Sequence, residues 1–295
     1  MTAAEQQRPR KTFVIRRITL ALDAASDTRL ALDAAAALAA RLDAEIAAVF
    51  VEELDLLNCA RLPFVRQLSL PTAAEQSLEQ AETERTLRAV AGQSRRALAA
   101  AAARSKVPWS FRVIRGRMER ALPAAAREGE LTIIGGPGRS PARRLWLRTT
   151  IQAAARCAGP VLILDPEQGI AGPVAVVIDD GARGHSRWLG RALAVGARLA
   201  DAQAVPLFIL VAGAGAAADR LETRARRWLE EHGHAAGIRR FVAGSGDRTP
   251  GEAMAGALGR PGHGIVLIAA DSPLMGDETT LAAIRRLGRT ILRLQ

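Results

Sequence analysis

The stretch Leu131–Leu164 reads LTIIGGPGRSPARRLWLRTTIQAAARCAGPVLIL, and it decides how the fold is interpreted. Its apolar ends, 131–134 and 161–164, predict two buried strands. Between them the sequence has Gly135, two residues, Gly138 and then nine further residues. Arg148, Thr149 and Thr150 follow as a polar helix start. A glycine-rich turn lets backbone approach a phosphate, and the N–H groups at a helix start favour negative charge. The stretch therefore predicts an anion-binding loop between a strand and a helix.

Outward from this stretch, short apolar runs alternate with longer helical patterns from Arg17 onwards. This alternation is typical of βαβ units, which form a parallel sheet covered by helices on both faces. The first half predicts strands over 18–22, 45–51, 110–115, 131–134 and 161–164, and helices over 29–42, 75–104, 119–127 and 149–156. After a stretch rich in proline and glycine, the second half predicts strands over 174–178, 205–211, 238–242, 265–269 and 290–294, and helices over 186–200, 217–232, 250–258 and 279–287.

The length of 295 residues fits two domains of roughly 150 residues each. We predict a basic tail over 1–15, a first domain over 16–166 and a degenerate second domain over 172–295. The expected fold class is α/β, with two Rossmann-like domains that each contain a five-stranded, mostly parallel sheet with helices on both faces. The domains are expected to pack about a pseudo-twofold axis as an intramolecular pseudo-dimer. A shift of 157 residues places Asp23 on Asp180 and supports this internal repeat.

The charge balance is strongly basic, with 41 Lys and Arg against 30 Asp and Glu. A net charge of +11 can attract phosphates, nucleic acid or acidic membrane surfaces. Lys11 and Lys106 are the only lysines, and the abundance of Ala, Arg, Gly and Leu indicates a compositional bias. Aromatic residues make up 3% of the chain, so the stacking platforms of single-strand binders are largely missing. Non-specific nucleic-acid binding is therefore only a third hypothesis.

Other classes of function lack their sequence signals. No apolar run reaches the roughly 18 residues of a membrane span, and the N-terminal residues lack the apolar core of a secretory signal. We therefore expect a cytoplasmic protein with no membrane partner. Cys59 and Cys157 do not form a CxxC pair, which argues against a metal site or a disulfide. The sequence contains no GxSxG motif and the first half no histidine, so we expect no catalytic residues and no enzyme.

The first half resembles the universal stress protein family from end to end. The resemblance is carried by the start ITLALDAASDTRLALDAAAALAARLDAEI, the strand LTIIGG, the loop after it and the closing CAGPVLIL. Nucleotide-binding members of that family carry glycine, two residues, glycine, nine residues, and then glycine followed by Ser or Thr. Here Arg148 stands where that third glycine is expected. Its side chain either blocks close backbone approach to phosphates or donates charge-assisted hydrogen bonds of its own.

The resemblance implies a site for ATP or another adenine nucleotide, with Mg as an accompanying ion. It places Ala21, Asp23 and Val51 at the base, and Ile134 beside the first loop glycine. It assigns ribose and phosphates to the two loop glycines and to the helix start, at Gly135, Gly138, Arg148, Thr149 and Thr150. The first hypothesis is a stress-response regulator or sensor that binds this nucleotide. The second is a nucleotide-free scaffold for protein interaction.

The second half departs from this pattern. After the strand over 265–269 it continues ADSPLMGDETTLAAIRR, which leaves no room for the glycine loop. We therefore expect no nucleotide in the second domain. In the first half, the apolar segment 54–70 is expected to pack over the cleft as a lid or to form a contact between subunits in a further dimer.

Three weaker patterns have structural explanations beside the functional ones. Gly213, Gly215 and Ala218 form GxGxxA but lack the acidic residue of a dinucleotide site, so a tight turn is preferred. Residues 232–234 read His-Gly-His, which indicates a helix C-terminal cap. The acidic run Glu52, Glu53 and Asp55 is either a pair for proton transfer or metal, or a solvated loop.

Overall fold

The computed structural model describes residues 15–24, 28–62, 64–68, 75–77, 79–126, 130–135, 154, 156–157, 159–164, 170–181, 185–242, 248–259, 264–287 and 290–294. Strands of the first half are β1 (Arg17–Leu22), β2 (Glu45–Glu53), β3 (Arg66–Leu68), β4 (Glu75–Ser77), β5 (Trp109–Gly116), β6 (Leu131–Gly135) and β7 (Val161–Leu164). Its helices are Thr28–Leu42, Leu54–Cys59, Gln80–Ser105 and Met118–Ala125.

The second half repeats the alternation. Its strands are β8 (Val174–Ile178), β9 (Leu207–Ala212), β10 (Gly237–Phe241), β11 (Ile265–Ala269) and β12 (Thr290–Leu294). Its helices are His185–Gln203, Gly215–His232, Pro250–Leu258, Pro273–Gly276 and Glu278–Arg286.

Ten strands form one sheet in the order β10-β9-β8-β11-β12-β7-β6-β1-β2-β5. Within each half the neighbouring strands are parallel, and the two halves meet through the antiparallel pair β7 and β12. This confirms the α/β fold class, with a five-stranded parallel arrangement in each half, and shows that the two arrangements are continuous. Because the central pair is antiparallel, the carboxyl ends of the two sets of strands point to opposite edges of the sheet.

The inner strands alternate their side chains between two buried faces, as a sheet covered on both sides requires, whereas the edge strands β5 and β10 are largely exposed. One face belongs to a single core that runs across both halves and includes Leu20, Phe50, Val176 and Leu267. The opposite face is divided into one cluster in each half. We call these the first-half cluster, around Met118 and Leu122, and the second-half cluster, around Leu274 and Met275.

The long helix of the first half begins later than the sequence predicts. The expected start at Glu75 is wrong, because residues 75–77 form β4 and pair antiparallel with β3. The helix begins at Gln80, after Glu79 as its N-terminal cap. Its buried residues, Leu87, Ala91, Leu98 and Ala102 among them, recur every three or four positions and lie on one side of the helix.

Two of the weaker patterns prove to be structural. Gly213 and Gly215 have φ values of +109° and +70°, a left-handed conformation that glycine adopts readily between β9 and the next helix. That helix ends at Gly233 with φ of +67°, and a ring nitrogen of His232 lies 2.8 Å from the carbonyl oxygen of Trp228. Both stretches are therefore backbone turns.

The apolar segment after β2 contains the helix Leu54–Cys59 and the β3–β4 hairpin. Leu57 and Ala60 are buried and Val65 is half-buried, whereas four large apolar side chains are exposed, at Leu54, Leu56, Leu62 and Phe64. Phe64 is the extreme case, with 76% of its surface exposed. The segment thus presents apolar surface to solvent in the single chain.

Candidate functional site

The crevice predicted from the sequence lies at the point where the strand order of the first half reverses direction. From β1 the strand order runs to β2 and β5 on one side, and to β6 and β7 on the other. Ligands of open α/β sheets bind at such a switch point, outside the carboxyl ends of the strands. The ends of β1 and β6 flank this switch point.

Asp23 and Gly135 lie at this same edge on neighbouring strands. Ala21 of β1 is paired with Ile134 of β6, so Asp23 and Gly135 come directly after paired positions. Gly135 is buried, and Asp23 is only 7% exposed. The structure thus brings together two of the predicted site residues, a carboxylate and a glycine, at the switch point.

The other predicted residues divide into two groups. Gly138, Arg148, Thr149 and Thr150 lie outside the described residues. Ala21, Val51 and Ile134 are each 1% exposed and pack into the first-half cluster. Their side chains therefore form a covered apolar floor beneath the crevice rather than open surface.

The acidic end of β2 adds groups that the sequence did not assign. β2 extends to Glu53, so the interpretation of Glu52 and Glu53 as a loop beyond the strand is wrong. Glu52 is buried, and its carboxylate accepts a hydrogen bond from Nε of Arg115 at 3.2 Å. Because Arg115 lies on the neighbouring strand β5, the structure assigns Glu52 to a cross-strand ion pair.

Glu53 is in a different environment. Its Oε1 accepts a hydrogen bond from the backbone N–H of Met118 at 3.1 Å. Burial, with the carboxylates of Asp23, Asp55 and Glu119 nearby, raises the pKa of Glu53 although that hydrogen bond opposes the change. Like charges therefore meet at this edge, close to Asp23. The signal that sequence reading missed was the continuation of β2 by two residues.

The second half contains a position equivalent to Asp23, but it is Asp179 and not Asp180. The core shared by both halves takes alternate residues of each strand, which are Ile18, Leu20 and Leu22 of β1 and Val174, Val176 and Ile178 of β8. The two strands therefore correspond with a shift of 156 residues, and β1 pairs Ile18 with Leu131 as β8 pairs Val174 with Ile265. Asp179 is 7% exposed, as Asp23 is, whereas Asp180 is exposed. The predicted shift of 157 was therefore wrong by one residue.

The segment after β11 closes the crevice of the second half. Oγ of Ser272 donates to Oδ2 of Asp179 at 2.6 Å, and the N–H of Gly181 donates to Oδ1 at 2.9 Å. A Cβ atom on Gly181 would lie 2.8 Å from Cδ of Pro273. Leu274 and Met275 follow in the short helix and join the second-half cluster. Protein groups thus pack against Asp179 at the carboxyl end of β8.

The pairing of the strands also shows which residues of the second half correspond to the apolar floor residues of the first half. Val177, Ala212 and Ile268 occupy the positions that correspond to Ala21, Val51 and Ile134, and Ala269 corresponds to Gly135. All three floor residues of the second half lie in the cluster with Leu274 and Met275. The glycine of the first half is therefore replaced by alanine at the closed position.

Across the ranges given above, no group of three or more His, Cys, Asp or Glu side chains could hold a metal ion. Among the same residues, no helix combines the length and the apolar character that crossing a membrane requires.

The fold defines a tandem Rossmann-like protein whose two halves each contain five parallel strands in one continuous sheet. The family model of the universal stress protein family matches residues 15–165, just over half of the chain. The chain belongs to the universal stress protein family. This confirms the resemblance on which the sequence prediction rested. The comparison with curated proteins returned no match.

Solved structures share the fold over nearly the whole chain. A universal stress protein from Archaeoglobus fulgidus DSM 4304 is 14% identical, with a TM-score of 0.67 and coverage of 96% of this chain and 97% of that one. A protein of Pseudomonas aeruginosa UCBPP-PA14 assigned to the universal stress proteins is 15% identical, with a TM-score of 0.55 and coverage of 97% and 95%. The cytoplasmic domain of a prokaryotic cation chloride cotransporter is 9% identical, with a TM-score of 0.50 and coverage of 95% of each chain. At these identities the likeness concerns the fold alone.

Proposed function

We propose that this protein binds ATP or a related adenine nucleotide at the carboxyl edge of its first half and acts as a regulator or sensor in stress response. The observation that carries the proposal is the pairing of Ala21 with Ile134, which sets Asp23 and Gly135 side by side at the switch point. A buried carboxylate there can accept hydrogen bonds from a ligand, and a glycine allows close backbone approach.

The second half limits the proposal to the first half. Its equivalent aspartate already accepts hydrogen bonds from Ser272 and Gly181, and its crevice is filled by the Pro273–Gly276 segment. A nucleotide would therefore bind only to the first half. Arg148 would contribute a charge-assisted hydrogen bond to a phosphate, and a Mg ion would accompany the phosphates.

The matched pair Asp23→Asn and Asp179→Asn tests the proposal in the full-length chain. Both substitutions are isosteric, and both aspartates are equally buried at equivalent strand ends. ATP titration by calorimetry should show affinity lowered by about tenfold or more for Asp23→Asn, because a hydrogen bond to a charged group is lost. Asp179→Asn should bind ATP as the wild type does. A wild type that neither releases nucleotide on heating nor binds added ATP would refute the proposal.

Arg148→Gly decides between the two roles open to that side chain. Weaker ATP binding in this variant would assign Arg148 to the phosphates. Tighter binding would show that the arginine obstructs the backbone approach that the family's glycine allows.

A nucleotide-free scaffold for protein interaction is the second candidate. It is favoured by the exposure of Leu54, Leu56, Leu62 and Phe64 in the single chain, since such side chains are typical of interaction surfaces. The complete burial of Ala21, Val51 and Ile134 also favours it. Absence of ATP binding, together with loss of self-association or partner binding in Phe64→Ser, would support this function instead.

A further inference from the structure

A buried arginine lies where β7 of the first half pairs with β12 of the second half, which we call the seam. Arg293 of β12 is paired with Val161 of β7 and is only 7% exposed. The parallel pairs Thr132–Val161 and Val266–Ile291 make Arg293 equivalent to Ile163 in the first half. The same seam position is thus apolar in one half and charged in the other. Burying a guanidinium is unfavourable unless hydrogen bonds compensate, so its contacts need an explanation.

Arg293 reaches across the seam into the first half. Its Nη1 donates to the carbonyl oxygen of Ala154 at 2.5 Å. The backbone N–H of Cys157 lies 3.2 Å from the same oxygen. Ala154 is helical, and the sequence predicts a helix over 149–156 in which this residue is close to the C-terminal end. Carbonyl groups at a helix C-terminus lack partners within the helix and favour a cation.

Burial lowers the pKa of Arg293, and Asp271, together with Cys157 when its thiol is ionised, opposes this change without outweighing it. A guanidinium nevertheless stays protonated in proteins. Burial also raises the pKa of the Cys157 thiol to about 11, so that this neighbour is neutral at physiological pH. Arg293 thus remains charged in the core and faces the helix end from the second half.

We infer that Arg293 is a positioning residue by which the second half fixes Ala154 and the turn to Cys157, where the helix that the sequence predicts from Thr149 and Thr150 is expected to end. In the proposed function that helix start binds the phosphates. This inference rests on the proposed function for its ligand. It adds a role for the second half, which is to support the nucleotide site of the first half. The anchor acts through the helix, without contact between Arg293 and the nucleotide.

Cys157 provides a probe of this anchor that is independent of nucleotide. The chain has only two cysteines, and Cys59 is exposed whereas Cys157 is 0% exposed. In a Cys59→Ser background, alkylation of the remaining thiol under native conditions measures local opening around the end of the helix. Arg293→Met should increase the rate of this reaction by about tenfold or more, because the charged hydrogen bond is lost.

Two further variants control the measurement. Arg240→Met makes the same change on β10, far along the sheet from the seam, and should leave the Cys157 rate unchanged. Arg293→Lys retains the charge and one donor, and should restore much of the wild-type rate. Far-UV circular dichroism checks that each variant is folded. If Arg293→Met is not folded, Arg293→Gln, which is polar but neutral and shorter, takes its place, and a wild-type rate and affinity in that variant overturn the inference.

ATP titration of the same variants completes the test. We expect Arg293→Met to lower ATP affinity by about tenfold, Arg293→Lys to recover it in part, and Arg240→Met to have no effect. An unchanged alkylation rate, or a raised rate with unchanged affinity, overturns the inference. A wild type that does not bind ATP overturns the proposed function and the ligand-binding part of this inference. The alkylation rates then still decide whether Arg293 holds the end of the helix.

Discussion

Removal of the Ser272 hydroxyl tests how the second half is closed. In the structure this hydroxyl donates to the buried carboxylate of Asp179 at 2.6 Å and accepts from the N–H of Leu274 at 3.2 Å. Ser272→Ala removes both hydrogen bonds at once. A hydrogen bond to a charged group contributes roughly 1.5–3 kcal/mol, and a helix N-cap about 1 kcal/mol. Since the two share one atom and are not strictly additive, we expect a loss of about 3 kcal/mol in the free energy of unfolding.

Urea denaturation followed by circular dichroism measures this loss. Thr132→Val is the matched control, because Thr132 is fully buried and its hydroxyl has no hydrogen-bond partner in the part of the chain that the structure describes. Replacement of that hydroxyl by a methyl group should leave stability unchanged or raise it by about 1 kcal/mol. A Ser272→Ala variant that loses less than about 1 kcal/mol would refute the reasoning, because Asp179 would then not depend on Ser272.

Three further predictions concern other buried positions. Glu53→Gln should be more stable than wild type at pH 7 but not at pH 4, because burial and neighbouring carboxylates raise the pKa of Glu53 and penalise its charged form. Urea midpoints of both proteins across this pH range measure the difference in stability. Since burial raises the pKa of Cys157 to about 11, wild-type stability should fall by about 2–3 kcal/mol as pH rises from 9 to 11, a fall that Cys157→Ala should not show in the same titration. Gly196→Ala should lower the melting temperature and reduce the free energy of unfolding by about 1–3 kcal/mol, because the added Cβ would lie 2.4 Å from Val176. Gly256→Ala should raise the melting temperature, because a Cβ there would have nothing within 4 Å.

The order of helices and strands was predictable because each signal is local. Buried parallel strands appear as short apolar runs, and the helices between them repeat their apolar residues every three or four positions. Strands β7, β8, β11 and β12 therefore match the prediction to the residue. The start of the long helix did not, because the pairing of β3 with β4 is a non-local contact that local propensity does not contain.

For the site, the sequence predicted the proximity of Asp23 and Gly135, since the carboxyl ends of parallel strands meet at one edge. It did not predict the acidic surroundings of Glu53, which depend on groups from three separate elements. Arg293 was also missed, because the last strand TILRL gives no sign of which side chain faces the partner half. Such features arise from tertiary packing, and only coordinates reveal them.

The antiparallel seam has a consequence for how the chain behaves at low concentration. Two identical subunits joined edge to edge separate on dilution, whereas here a covalent connection keeps the two edges together at any protein concentration. Identical subunits must also carry the same residue on both sides of their interface. A single polypeptide is free of that symmetry, and it can keep isoleucine on one strand and arginine on the other.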